Sequence, residues 1–319
     1  MAKASRVGWI EALRAIALLM VIIPHFIDAF CPEAFCAWDT YSWALKGISG
    51  KHGVAIFCVL IGYFSSRRIG KSLPTYIIQR YLQFSINIFI VLICYVLAFY
   101  DSFGWRGIIC AIKEAVLFRD GLVPTFWCVM ALFQGSVICF VLGNYCGMES
   151  KWSSLAFLMI TCVFLKFINV WLSICVMGAA LRVFQEISIS KKARIAVCVV
   201  SVCAIPLLYR HPESTWTFFM QGCSCCLLMY VCYCINQLRW FKERRGLIVL
   251  PFIGTISFYM FLWHTPVNLV LLTIRHDSLN MYLLFAISFA ASFLLSVIQY
   301  ELNNKLINPL IKRIKIETI

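Results

Sequence analysis

Apolar runs of membrane-crossing length recur along the whole chain, separated by short polar connections that carry most of its charge. A helix that crosses a bilayer needs about twenty mostly apolar residues, and less regular segments can cross when packed inside a bundle. The pattern predicts about ten spans, over 9–29, 47–64, 76–100, 124–145, 153–168, 170–185, 194–209, 216–235, 248–273 and 279–301. The fifth and sixth are short and divided only by 167–169, with Lys166 beside the turn. A β-barrel would show alternating segments of about ten residues, and these runs are continuous. The fold class expected is all-α, a polytopic integral-membrane helical bundle. The longest connections, 30–46 and 101–123, are too short for a folded domain. A single transmembrane domain over 1–319 is therefore expected, with no appended soluble domain. No internal repeat of the kind that builds many secondary transporters is visible.

Composition agrees with the pattern. The 319 residues are 62% hydrophobic and 13% charged, against about 45–50% and 25% in soluble domains. A net charge of +14 would suit a nucleic-acid ligand, but the basic residues sit in short loops, where they report orientation. Alternating the connections between two sides, with Arg14 and Arg80 left out, puts about eighteen Lys and Arg on one side and about eight on the other. Both termini are thus expected in the cytoplasm, and the chain in the cytoplasmic (inner) membrane. The first apolar segment is of spanning length with no small-residue cleavage signature after it, so no cleavable signal peptide is expected. Most of the 17 cysteines lie inside predicted spans, where Cys is a small, soft hydrophobe. Cys223 and Cys226 have C-x-x-C spacing without a second half-site, and no metal is expected. Cys31 and Cys36 share the first outer connection, where an oxidising compartment would allow them to pair.

Candidate chemistry concentrates in the first span, WIEALRAIALLMVIIPHFIDAF, which carries Glu11, Arg14, His25 and Asp28. Each ionisable group costs about 2.5–3.5 kcal/mol on insertion scales, so together they mark a functional segment. Eleven residues at about 100° each return Arg14 and His25 to one face, roughly 16 Å apart. Glu11 and Asp28 sit three residues outside that pair and extend the stripe, although Asp28 falls at the interface. The alternative is that Glu11 and Arg14 mark a membrane boundary and His25 is a satisfied interior histidine. Four other places leave two readings open. The run GVAIFCVLIGYFSSRR ends in Arg67 and Arg68, either an ordinary basic flank or an anion grip. Arg80 either snorkels or meets an anionic ligand with its planar fork. Trp127 suits an aromatic belt or a cavity wall. His264, two residues before Pro266, either bonds a backbone carbonyl or lines a cavity with His25.

On these residues the chain resembles the membrane acyltransferase family 3, integral-membrane O-acyltransferases that decorate bacterial surface glycans. The resemblance covers nearly the whole length. Its most specific element is Glu11-Ala-Leu-Arg14 followed by ten residues and His25, matching an acidic-x-x-Arg-x10-His first helix. Similar too are the GV-x-x-F-x-x-L-x-G run from Gly53 to Gly62, Arg80 at the third helix, the Trp127 segment, and S-x-x-x-Y/F-L-x-H-x-P from Ser257 to Pro266. Glu11 stands where Asp is usual, Ile61 where Ser is usual, and Gln83 where the family's R-x-x-R has its second arginine. That last change leaves Arg67, Arg68 or Lys71 to complete the grip.

The resemblance implies an acyl-CoA, foremost acetyl-CoA, as cytoplasmic co-substrate, with no permanently bound cofactor. It also implies a cell-surface or lipid-linked glycan as acceptor. A hydroxyl nucleophile needs a base that titrates near neutrality, which selects His25. Arg14 would position the donor or pair with Glu11, and Arg80, Arg67 and Arg68 would draw in the phosphate-rich donor. His264, Trp127 and Tyr259 are candidate cavity walls. Whether His25 carries the acyl group covalently is left open. Two rivals stand beside this: a secondary transporter using Arg14 and His25 as substrate or proton-relay sites, and a non-catalytic partner in a glycan-assembly complex. The partners expected are acyl-CoA, the glycan acceptor and membrane lipids, and not nucleic acid.

Overall fold

The computed structural model describes residues 8–30, 50–66, 71–118, 122–123, 126–145, 150–207, 215–236, 249–274 and 280–314, and among these there is no β-strand. The helices are α1 (Gly8–Phe30), α2 (Gly50–Ser65), α3 (Leu73–Ala98), α4 (Tyr100–Leu117), α5 (Trp127–Tyr145) and α6 (Lys151–Ile168). They continue with α7 (Val170–Glu186), α8 (Lys191–Leu207), α9 (Thr215–Asn236), α10 (Val249–Ile274), α11 (Met281–Leu302), a π-turn (Asn303–Ile307) and α12 (Asn308–Arg313). All ten segments expected to span fall on helices. Among the described residues six are long and apolar enough to cross a bilayer: α1, α3, α5, α6, α10 and the run Met281–Arg313. Gly50–Ser65 and Phe219–Ile235 are shorter apolar helices.

Local chemistry sets the breaks. Asn169 alone separates α6 from α7: extended itself (φ −156°, ψ 113°), it accepts the amides of Trp171 and Leu172 through its side chain. An Asx cap of this kind satisfies the first orphan amides of α7. Ser150 and Asn280 cap α6 and α11 in the same way.

One connection departs from expectation. The stretch 101–123 holds α4, which the apolar pattern does not mark because Asp101, Arg106, Lys113 and Glu114 interrupt it. Gly104 (φ 53°, ψ −153°) kinks the helix, a conformation L residues rarely adopt. Beyond the kink α4 runs back along α3, where Ser85 and Tyr81 donate to the carbonyls of Ala115 and Val116, both at 2.8 Å. The small residues Gly107, Ala111 and Ala115 are buried, whereas Trp105, Ile109, Ile112 and Val116 point outward.

The chain forms two compact units that interleave in sequence. Unit 1 comprises 1–21, 44–69 and 134–255, and unit 2 comprises 22–43, 70–133 and 256–319. In unit 1, α7 packs on α2, α6 and α9. Gly62 of α2 lies against the carbonyl of Cys175, and Gly178 of α7 against that of Val59, so closely that a Cβ at either glycine would collide with backbone. Reciprocal small-residue contacts of this sort let membrane helices approach by backbone.

In unit 2, a buried amide network ties α3, α10 and α11 together. Trp263 Nε1 donates to Gln299 Oε1 at 2.6 Å, and Gln299 Nε2 donates to Asn87 Oδ1 at 2.9 Å. Asn303 Nδ2 donates to the same Asn87 oxygen at 2.6 Å, and Asn87 Nδ2 returns a bond to Asn303 Oδ1 at 3.1 Å.

Candidate functional site: a histidine pair on two helices

The last turns of α1 lie in unit 2. Phe26 and Phe30 are buried with Leu284 of α11, and the Phe26 ring meets Phe285 edge-on at 5.0 Å. Pinning that face leaves His25, the neighbour of Phe26, partly exposed and directed at α10. There His25 Nδ1 lies 2.7 Å from Nε2 of His264, with the rings 6° from parallel. His264 is fully buried, and its Nδ1 lies 2.6 Å from the carbonyl oxygen of Phe261.

The tautomers follow from this chain of contacts. A carbonyl oxygen only accepts, so Nδ1 of His264 carries the proton given to Phe261. A neutral imidazole has one donor and one acceptor nitrogen, so Nε2 of His264 accepts. The short contact then requires His25 to donate from Nδ1, which places the lone pair of His25 on Nε2. The Thr265 hydroxyl also stands 3.1 Å from His264 Nε2. Trp263, beside His264, fixes the register of α10 through its bond to Gln299. Pro266 removes the amide that would serve the Leu262 carbonyl, yet His264 bonds the carbonyl of Phe261. The histidine therefore bonds a backbone carbonyl, though not the one Pro266 frees, and it also contacts His25.

The other residues of the stripe make contacts of their own. Arg14 and Glu11 form an ion pair within unit 1, with Nη1 at 3.1 and 3.2 Å from the two carboxylate oxygens. The guanidinium also lies 5.4 Å from the centre of the Phe64 ring. The pair uses one nitrogen of Arg14, and neither Nε nor Nη2 takes part in it. Asp28 is exposed. In unit 2, Arg80 donates to the Tyr76 hydroxyl at 3.3 Å and to Gln83 Oε1 at 3.1 Å. Gln83, where the family pattern has a second arginine, thus steadies the first. Lys71 donates to Gln79. Arg67, Arg68, Cys31 and Cys36 lie outside the described residues.

Tyr259 is buried against the Tyr300 ring at 6.0 Å, and Trp127 stands 40% exposed at the first turn of α5. Sequence reasoning missed the Phe261 carbonyl and the amides Asn87, Gln299 and Asn303. The only signal for the first was the i−3 spacing from His264, and for the others their place as amides inside apolar spans. Among the described residues, no group of three His, Cys, Asp or Glu is placed to hold a metal ion.

Residues 7–301 match the model of the acyltransferase domain of acyltransferase family 3. No curated protein and no solved structure matches the chain significantly. The matched region runs from the start of α1 to the end of α11 and includes both histidines. With its apolar helices of crossing length, the chain belongs to the membrane acyltransferase family 3 and is a multi-pass membrane acyltransferase.

Proposed function

We propose that the protein transfers a short acyl group, acetyl foremost, from cytoplasmic acyl-CoA to a hydroxyl of a cell-surface or lipid-linked glycan at the inner membrane. The observation that carries this reading is the bonded series Phe261 oxygen, His264, His25, which leaves Nε2 of His25 as a base. The acceptor hydroxyl gives its proton to that nitrogen while its oxygen bonds the thioester carbonyl carbon. The carbon–sulfur bond then breaks, and the imidazolium returns the proton to the departing thiolate, so that an ester and free CoA result. Throughout, His25 keeps Nδ1–H on His264, as a triad histidine keeps its orientation through a third group. Arg14, held by Glu11, and Arg80, held by Gln83, offer unspent guanidinium donors to the phosphate-rich donor. Arg67 and Arg68 would add to that attraction. CoA is a co-substrate in this scheme, with no resident cofactor.

The test is acyl transfer by purified protein in nanodiscs, followed by mass spectrometry of the glycan. His25→Ala, eluting as folded protein, is expected to lose about 10²–10⁴-fold in rate. Transfer at the normal rate by that variant would refute the assignment.

A further inference from the structure

In unit 1 the ends of α2, α5 and α7 and the start of α6 enclose a cavity of about 190 Å3. Its polar wall is Ser66, Lys151, Ser154, Arg182 and Glu186. Gly143 completes the wall where α5 meets Ser66, and any side chain there would collide with backbone. Arg182 is fixed by its neighbours: the guanidinium lies 5.1 Å from the Tyr63 ring centre, and Nη1 donates to the Tyr63 carbonyl at 3.3 Å. Tyr63 is itself held, its hydroxyl donating to Gln185 Oε1 at 2.7 Å. Yet Arg182 Nε is buried and makes no hydrogen bond, with the Glu186 carboxylate 3.8 Å away. A buried donor without an acceptor costs about 1–3 kcal/mol, so an acceptor arriving in this cavity recovers that cost.

Lys151 and the first turn of α6 lie at the same wall. Lys151 spends one of its three ammonium protons on the Glu186 carbonyl at 2.9 Å. At the N-terminus of α6, Ser150 takes the amides of Ser153 and Ser154. The amides of Lys151 and Trp152 have no intrahelical acceptor, and they sit at the positive end of the helix macrodipole. The wall carries two cations against one carboxylate.

We propose that this cavity is a phosphate-binding site, taking the phosphate or diphosphate group of an organic phosphate. Resting on the acyl-CoA reading, its occupant is the phosphorylated end of the donor. The other source of the same chemistry is an anionic phospholipid headgroup. The sequence does not single out either cation, since each looks like an ordinary basic flank of its helix.

The experiment titrates coenzyme A into the full-length protein in phosphatidylcholine nanodiscs. Wild type is expected to bind, Arg182→Gln to bind about tenfold more weakly, and Arg182→Lys to recover part of the loss. Lys151→Gln, at an exposed position, is expected to weaken binding severalfold. A second arm measures retained phosphatidylglycerol by native mass spectrometry. Loss of that lipid from the two Gln variants, with coenzyme A not bound by wild type, keeps the phosphate site and assigns it to lipid. Equal retention of both ligands by wild type and both Gln variants overturns the site. Acyl transfer separates this inference from the reading above. If turnover depends on His25 while Arg182→Gln and Lys151→Gln change neither the donor KM nor the retained lipid, the cavity proposal falls alone. If no acyl transfer occurs but coenzyme A binding depends on Arg182, the site stands and the enzymatic reading falls.

Discussion

Phe261 decides the protonation of His264, and through it the chemistry open to His25. If His264 only fills space, leucine should serve as well as glutamine. If it orients His25 by accepting Nδ1–H, an acceptor at the same place should preserve part of the rate. His264→Gln can present an amide oxygen to His25, while His264→Leu leaves His25 to ionise or rotate without a partner. The expected result is a loss of about 10²-fold or more in kcat for His264→Leu, a smaller loss for His264→Gln, and an unchanged donor KM in both. A parallel fall for the two variants would reduce His264 to packing. The sequence carried half of this. The spacing from Arg14 to His25 is local, so helix geometry alone puts both on one stripe. The meeting of His25 with His264 joins residues 239 apart, and no periodicity reports which wall of a bundle a histidine faces. The Glu11–Arg14 and Arg80–Gln83 pairs were within reach because each is an i,i+3 contact.

At the level of elements, apolar runs located ten helices because each has to be continuously apolar over most of its length. The pattern missed α4 because its lipid-ward residues, Trp105, Ile109, Ile112 and Val116, alternate with charges and two glycines. It also gave no account of how α10 is held, since an amide inside an apolar run announces that it needs a partner but does not name one. Asn87 is that partner for two chains of bonds: its oxygen accepts from Gln299 and Asn303, and its amide donates to Asn303 and to the Gln83 carbonyl. Asn87→Leu leaves Gln299 Nε2 only its bond to the residue 87 carbonyl and Asn303 Nδ2 only its bond to the Gln299 carbonyl, so each amide loses one acceptor in a dry interior, at a cost of about 1–3 kcal/mol. The variant is expected to unfold at a lower temperature in detergent, as followed by intrinsic fluorescence. Because Gln299 also accepts from Trp263, next to His264, the double variant Asn87→Leu/Gln299→Leu should be less destabilised than the sum of the two singles. Strict additivity would show that the amides act independently.

For the whole molecule the open quantity is the number of crossings, and α4 decides its parity. Counted by itself α4 would make eleven crossings and put the two termini on opposite sides. Its packing argues against a separate crossing. Phe118, just past its end, and Phe133, in the second turn of α5, both meet Tyr81, at 5.4 and 6.1 Å between ring centres, and each other at 5.4 Å. The end of α4 and the early part of α5 therefore lie at one level of α3, so α5 takes up where α4 stops. The far end of α5 follows from unit 1, where Gly143 packs on Ser66. If the two helices share one passage, the count stays even. The expectation from charge is the same, since Lys and Arg are richest at the connections after α2, α5, α7, α9 and α11. A reporter fused after Ile319 is expected to read as cytoplasmic, and so is one fused before Gly8. A cysteine placed at Trp105 should be protected from water-soluble thiol reagents by lipid, as its 72% exposure along the flank of α3 implies. An external C-terminal reporter would make α4 a full crossing and reverse the side assigned to every helix end after it, the phosphate cavity of unit 1 included.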